Sequence, residues 1–164
     1  MVIAQRSRPL ASRLASQLEQ SDPRVTCSLL CMGANATSDG LLNVLGGGVT
    51  RLGTPTFPIP LFNLYFALSL LSYTETFQGS HTLIVSFTDA DNKEVSRATA
   101  NFSAIAPPER ALITASLVLP LSGVVLPAAG PYDIPVDLDG RRIADLFLFA
   151  RQQDAEDADD TETP

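Results

Sequence analysis

The sequence has 164 residues, 45% hydrophobic and 18% charged, with a formal net charge of −7 at pH 7. That suits one domain able to bury a core and excludes a disordered chain. Six of the seven net negative charges belong to residues 152–164, so the body is near neutral. It lacks the basic stripe that a phosphate backbone needs, which excludes nucleic acid as a partner.

Residues 1–24 form an N-terminal arm. Leu10, Leu14 and Leu18 recur every four residues beside Ala11 and Ala15, with Ser7 as a cap and Pro9 in the first turn. This predicts a helix of about twelve residues, marginal alone in water. Its stripe docks on its own domain or on another subunit, or it frays. There is no apolar run of the signal-peptide kind.

From Val25 the period becomes two, and Val25–Ala34 reads as a strand. On a strand Cys27 and Cys31 would lie about 13 Å apart, beyond the roughly 7 Å that a disulfide spans. They read as small core residues, and without a disulfide the expectation is a cytoplasmic protein. Asn35–Gly40 is a turn. Leu41–Leu52 is a second strand, carrying Asn43 and the run Gly46-Gly47-Gly48. Glycine in a strand costs about 0.5–1 kcal/mol against alanine, so three together predict a bulge, a bend or a close neighbour. A phosphate cradle is excluded, because no helix follows and Val49-Thr50-Arg51 is not a Gly-Lys-Ser/Thr ending. Asn43 is expected to bond backbone at the bend.

Gly53–Pro60 is an irregular loop. In Leu61–Ser72 the residues Phe62, Leu64, Phe66, Leu68 and Leu70 share one face of a strand. His81–Thr88 alternates with Leu83, Val85 and Phe87 inward. Asp89–Asn92 turns into Lys93–Ala104, and Pro107-Pro108 breaks the chain before Ala111–Leu119. Ala111 to Tyr132 carries no charge, but Pro120, Gly123, Pro127, Gly130 and Pro131 interrupt it, which excludes a membrane-spanning helix. Tyr132–Leu138 alternates, and Pro135, lacking a donor, predicts an edge strand. Asp139-Gly140 is a hairpin turn leading to the last strand, Arg141–Ala150. Residues 152–164 are a disordered acidic tail.

The fold class is therefore all-β: an antiparallel β-sandwich of about eight strands, immunoglobulin-like or C2-like, over residues 25–151. A barrel is the lesser alternative.

The run from Leu29 to Gly48, with Gly33-Ala34-Asn35, the Asp39-Gly40 turn and Leu42-Asn43-Val44-Leu45-Gly46-Gly47-Gly48, resembles a bacterial, mainly actinobacterial, β-sandwich family of unknown function. The likeness extends to His81 near a strand start, to Asp89 and Asp91 in a hairpin, and to Gly130, Tyr132, Asp139 and Gly140 in a closing hairpin. It covers roughly residues 25–150 and implies a β-sandwich, with no catalytic residue to carry over. This chain departs from the family pattern at Leu41, where a polar residue is usual.

No CxxC, HExxH or GxSxG motif is present, and His81 reads as a rim residue. Asp89, Asp91, Asp137 and Asp139 are the candidates for a calcium cage. Alternating strand direction puts the 89–92 and 139–140 turns at opposite ends, so they share no ion. Neither a metal nor a cofactor is expected. The reading is a non-catalytic protein-binding or structural module, with a protein partner or a homo-oligomer. The loops 53–60 and 121–131 share one end. There Phe57, Ile59, Val124, Val125 and Leu126 either form an exposed apolar patch or fold back over the sandwich mouth. A small-molecule or lipid-like carrier, a hydrolase with its pocket between the sheets, and a phage or particle component are the alternatives.

Overall fold

A computed structural model describes residues 23–73, 77–105 and 112–153. The arm with Leu10, Leu14 and Leu18, the Pro107-Pro108 break and residues 154–164 of the acidic tail lie outside the described residues, while Gln152, expected in that tail, closes the last strand. The strands are β1 (Arg24–Ala36), β2 (Leu42–Gly47), β3 (Arg51–Thr54), β4 (Ile59–Pro60), β5 (Tyr65–Tyr73), β6 (Gly79–Thr88), β7 (Glu94–Ala104), β8 (Leu112–Pro120), β9 (Val125–Leu126), β10 (Gly130–Leu138) and β11 (Arg141–Gln152). They form a four-stranded sheet ordered β2-β1-β5-β8, a five-stranded sheet ordered β3-β11-β10-β6-β7, and a small β4-β9 pair. Among the described residues no helix is long and apolar enough to cross a membrane.

Period-two alternation decides what is inside. Phe66, Leu68 and Leu70 of β5 share one core with Leu83, Val85 and Phe87 of β6, Ile134 and Val136 of β10, and Leu148 of β11, all fully buried. Each such side chain contributes about 1.5–3 kcal/mol by leaving water. Strand β1 serves two partners in turn. It pairs with β5 from Arg24 to Cys31 and with β2 from Cys31 to Ala36, so Cys31 faces Tyr65 on one side and Gly47 on the other.

The expected strand 41–52 is corrected. It is two strands, β2 and β3, in different sheets, and the glycines are the crossing between them. Gly46 and Gly48 have φ of 58° and 81°, a left-handed backbone that interrupts an extended ladder. Gly48 and Val49 donate to Leu30 O at 2.9 and 3.0 Å, which ties the crossing to β1. Asn43 lies exposed opposite Asn35, ahead of the bend and not at it. The crossing delivers β3 parallel to β11, with Leu52 opposite Ala150. The all-antiparallel expectation is corrected at that pair.

Two further expectations change. Phe62 does not share the inner face with Leu64. Leu61–Leu64 is a turn, closed by Leu64 N–H donating to Leu61 O at 3.3 Å, and it throws Phe62 outward. Pro135 is not on an edge, since β10 lies between β11 and β6. The β10–β6 ladder runs from Asp133↔Thr88 to Leu138↔Leu83 and steps over the proline, resuming at Val136↔Val85. The Asp139-Gly140 hairpin forms as expected. Both residues have positive φ, 51° and 79°, between the paired Leu138 and Arg141.

Candidate functional site

A connected polar group lies where the β10–β11 hairpin meets the start of β6. Asp139 Oδ2 is 2.8 Å from His81 Nδ1, Asp139 Oδ1 accepts the Thr82 N–H at 2.8 Å, and Asp139 N–H donates to Thr82 O at 2.9 Å. His81 Nε2 lies 3.3 Å from Phe77 O. The Phe77 ring stacks on the imidazole at 4.1 Å and 14°, and Phe102 sits 5.3 Å away. The His81 side chain is 11% exposed and that of Asp139 49%. His81 is therefore no rim residue, because the flanking aromatic rings cover it. Both ring nitrogens face acceptors, Asp139 Oδ2 and Phe77 O, which fixes the ring between the hairpin and the residues before β6. Burial pushes the Asp139 carboxyl up, but the hydrogen bonds from His81 and Thr82 hold it below the usual range overall.

Two of the other candidate carboxylates are engaged locally. Asp89 Oδ1 accepts the N–H groups of Asp91 and Lys93 at 3.0 Å each, forming its own turn. Asp137 pairs with Arg142 at 2.8 Å. Asp89 follows the end of β6 while Asp139 clamps Thr82 near its start, about 23 Å away at strand rise. Among the described residues no three His, Cys, Asp or Glu side chains are grouped to hold a metal.

The apolar loops fold back over the mouth. Val124 and Leu126 are fully buried, and Phe57 and Ile59 pack against the core. Only Val125 is exposed, its N–H donating to Ser96 Oγ at 3.3 Å. The β4–β9 pairing explains this, with Ile59 opposite Leu126 and Leu61 N–H donating to Val124 O at 3.0 Å. The exposed apolar surface lies next door. Phe62, 66% exposed, and Met32, 52% exposed, border a groove of about 390 Å³ with Leu52, Ile59, Pro60, Leu61, Asn63 and Leu64. Alternation counted Phe62 into the strand, so the sequence reading missed it. The prolines at 58 and 60 and Asn63 were the available signal of a turn. Leu41 and Leu45 are also exposed, while Asp39, Gly40 and the Thr37–Gly40 turn lie against β8. There the turn, β7 and β8 border an open groove of about 780 Å³ that includes Phe102, Ile113 and Leu117.

No functionally curated protein matches the chain. Several solved structures resemble it in part. A glycosyl hydrolase family 2 member from Bacteroides cellulosilyticus matches at 16% identity and a TM-score of 0.32, over 57% of this chain and 13% of that one. The chain thus spans about an eighth of that protein's length. An immunoglobulin-like protein from Pseudomonas aeruginosa matches at 14% identity and a TM-score of 0.38, over 80% of this chain and 98% of the other. An alkylpurine DNA glycosylase from Pseudomonas fluorescens matches at 12% identity and a TM-score of 0.34, over 76% and 30%. A sequence family does cover the sandwich: its profile matches residues 26–151, from the third residue of β1 to the penultimate residue of β11, and on that span the chain belongs to DUF6941, a family of unknown function.

Proposed function

We propose that the chain is a non-catalytic β-sandwich module that binds another protein chain through its exposed apolar surface. The observation that carries this reading is the groove bordered by Met32 and Phe62, two large apolar side chains more than half exposed beside an otherwise well-packed core. Exposed large apolar side chains that line a groove together mark interaction sites more often than scattered ones do. The free Cys27 and Cys31 suit a reducing, cytoplasmic compartment.

Photo-crosslinking from position 62 in the producing cell tests the reading. Discrete protein adducts from position 62, absent from the exposed control position 145, are expected. No adduct at position 62 overturns it. The open groove between β7 and β8 favours a second reading, a carrier of a small apolar ligand. Saturable uptake of a fluorescent apolar probe, lost in Leu117→Asp but not in Phe62→Ser, would replace the first reading with that one.

A further inference from the structure

The sandwich is open along one side. Phe66, Leu68 and Leu70 of β5 and Leu83, Val85 and Phe87 of β6 are fully buried. On the edge strands beside them, β8 and β7, the inward Ile113, Ala115, Leu117 and Phe102 are only half-buried. These two edges border the groove of about 780 Å³, and Asp39 is the one charged residue in its described lining. The described chain begins close by. Arg24 pairs with Leu71 and Leu71 with Thr114 of β8, two strand spacings or about 10 Å.

We propose that this groove holds residues 9–20 of the same chain, as a helix that lays Leu10, Leu14 and Leu18 onto Ile113, Ala115 and Leu117. The arm is then a side wall of its own sandwich. The Met32–Phe62 groove lies toward the other end of the β1–β5 ladder, where Cys31 faces Tyr65, and it stays open to another chain.

Spacing, reach and charge favour this occupant. Helix residues four apart rise about 6 Å and strand residues two apart about 6.6 Å, so the three leucines keep step with the inward residues of β8. The six residues from Leu18 to Arg24 span up to about 20 Å, which covers the gap to β8 and leaves chain to round the end of β5. This order puts Leu18 at the Ile113 end and Leu10 at the Leu117 end. Up to residue 18 the arm's charges are all basic, namely Arg6, Arg8 and Arg13. Arg13 beside Leu14 comes level with the middle of β8, where Ser116 Oγ donates to Gly40 O at 2.7 Å and so holds the turn that carries Asp39. A helix of about twelve residues needs such apolar cover to be stable in water. A tethered segment also acts at an effective concentration on the order of millimolar, which a separate chain at micromolar concentration does not match.

Photo-crosslinking of the purified full chain tests this, with a photoreactive phenylalanine analogue in place of Phe102. The expected product is closed within one chain and maps by mass spectrometry to residues 9–20. Leu14→Asp should cut its yield about tenfold or more, the scale of one buried leucine, and Leu14→Met should keep it. Unchanged strand circular dichroism shows that both variants keep the sandwich; if Leu14→Asp unfolds, the wild-type map and Leu14→Met decide. Adducts that join two chains seat a copy's arm in the groove and overturn the proposal. The absence of adducts to residues 9–20 overturns it too, as does a yield that a folded Leu14→Asp leaves unchanged. Saturable uptake of an apolar probe by the wild type, lost in Leu117→Asp, shows an unfilled groove and has the same force. Adducts from position 62 to another protein stand or fall separately from all of these results.

Discussion

Asp139 Oδ2 lies 2.8 Å from His81 Nδ1 across 58 residues of sequence, and the contact pins the β10–β11 hairpin to the start of β6. The same carboxylate takes the Thr82 N–H, so one side chain holds both a ring and a backbone group.

The folded pKa of Asp139 is lowered, so its contribution to stability is complete above the unfolded value of about 3.9 and is lost as pH falls through the folded one. Thermal midpoints measured from neutral to strongly acid pH should fall less steeply in Asp139→Asn than in the wild type. At neutral pH the substitution should cost about 1 kcal/mol or less, because the side chain is half exposed and screened by solvent. Identical acid slopes would show that the clamp carries no linkage.

Gly46 and Gly123 should respond oppositely to alanine. At Gly46 φ is 58°, and an added Cβ would lie 3.0 Å from Met32 Cγ. Left-handed backbone alone costs a non-glycine residue about 1–2 kcal/mol, so urea unfolding of Gly46→Ala should show at least that loss. An added Cβ at Gly123 meets nothing within 4 Å and has no positive φ to strain it. Gly123→Ala should be neutral or stabilise by up to about 1 kcal/mol through the unfolded chain.

Phe62 and Phe66, four residues apart, should separate as sharply. Phe66 is fully buried, and Phe66→Ala should cost about 3–5 kcal/mol in equilibrium unfolding. Phe62→Ala should stay within about 0.5 kcal/mol, as surface changes do. Equal losses would return Phe62 to the core face.

Thiol labelling distinguishes the two cysteines. Cys31 is fully buried, and burial pushes its thiol up, away from the reactive thiolate. Cys27 is half-buried. A thiol reagent should label the native protein in a phase that Cys27→Ser abolishes, with Cys31 labelled only on unfolding.

What the sequence made legible was the local grammar. Leu83, Val85 and Phe87 alternate so cleanly that β6 and its inner face followed directly, and Asp139-Gly140 announced a two-residue hairpin. What it hid were relations that no neighbouring residue encodes. The glycines at 46–48 predicted a bend, but the choice of destination, a parallel berth beside β11, depends on a strand far along the chain. Pro135 suggests an edge because it lacks one donor, while β10 keeps its place through its remaining pairings. His81 and Asp139 each stand out separately in the sequence. Their meeting required the register of β6 against β10, which alternation alone does not set.

The berth of β3 has a consequence for how the molecule comes into being. Arg51 sits opposite Phe149, so β3 leaves the ribosome long before the strand that receives it. Until β11 is made, β3 has no ladder to join and the glycine crossing leads nowhere. The four-stranded sheet can assemble early from β1, β2, β5 and β8, but its companion closes only with the last strand. Such distant pairing favours slow folding, with closure of the second sheet as its late step.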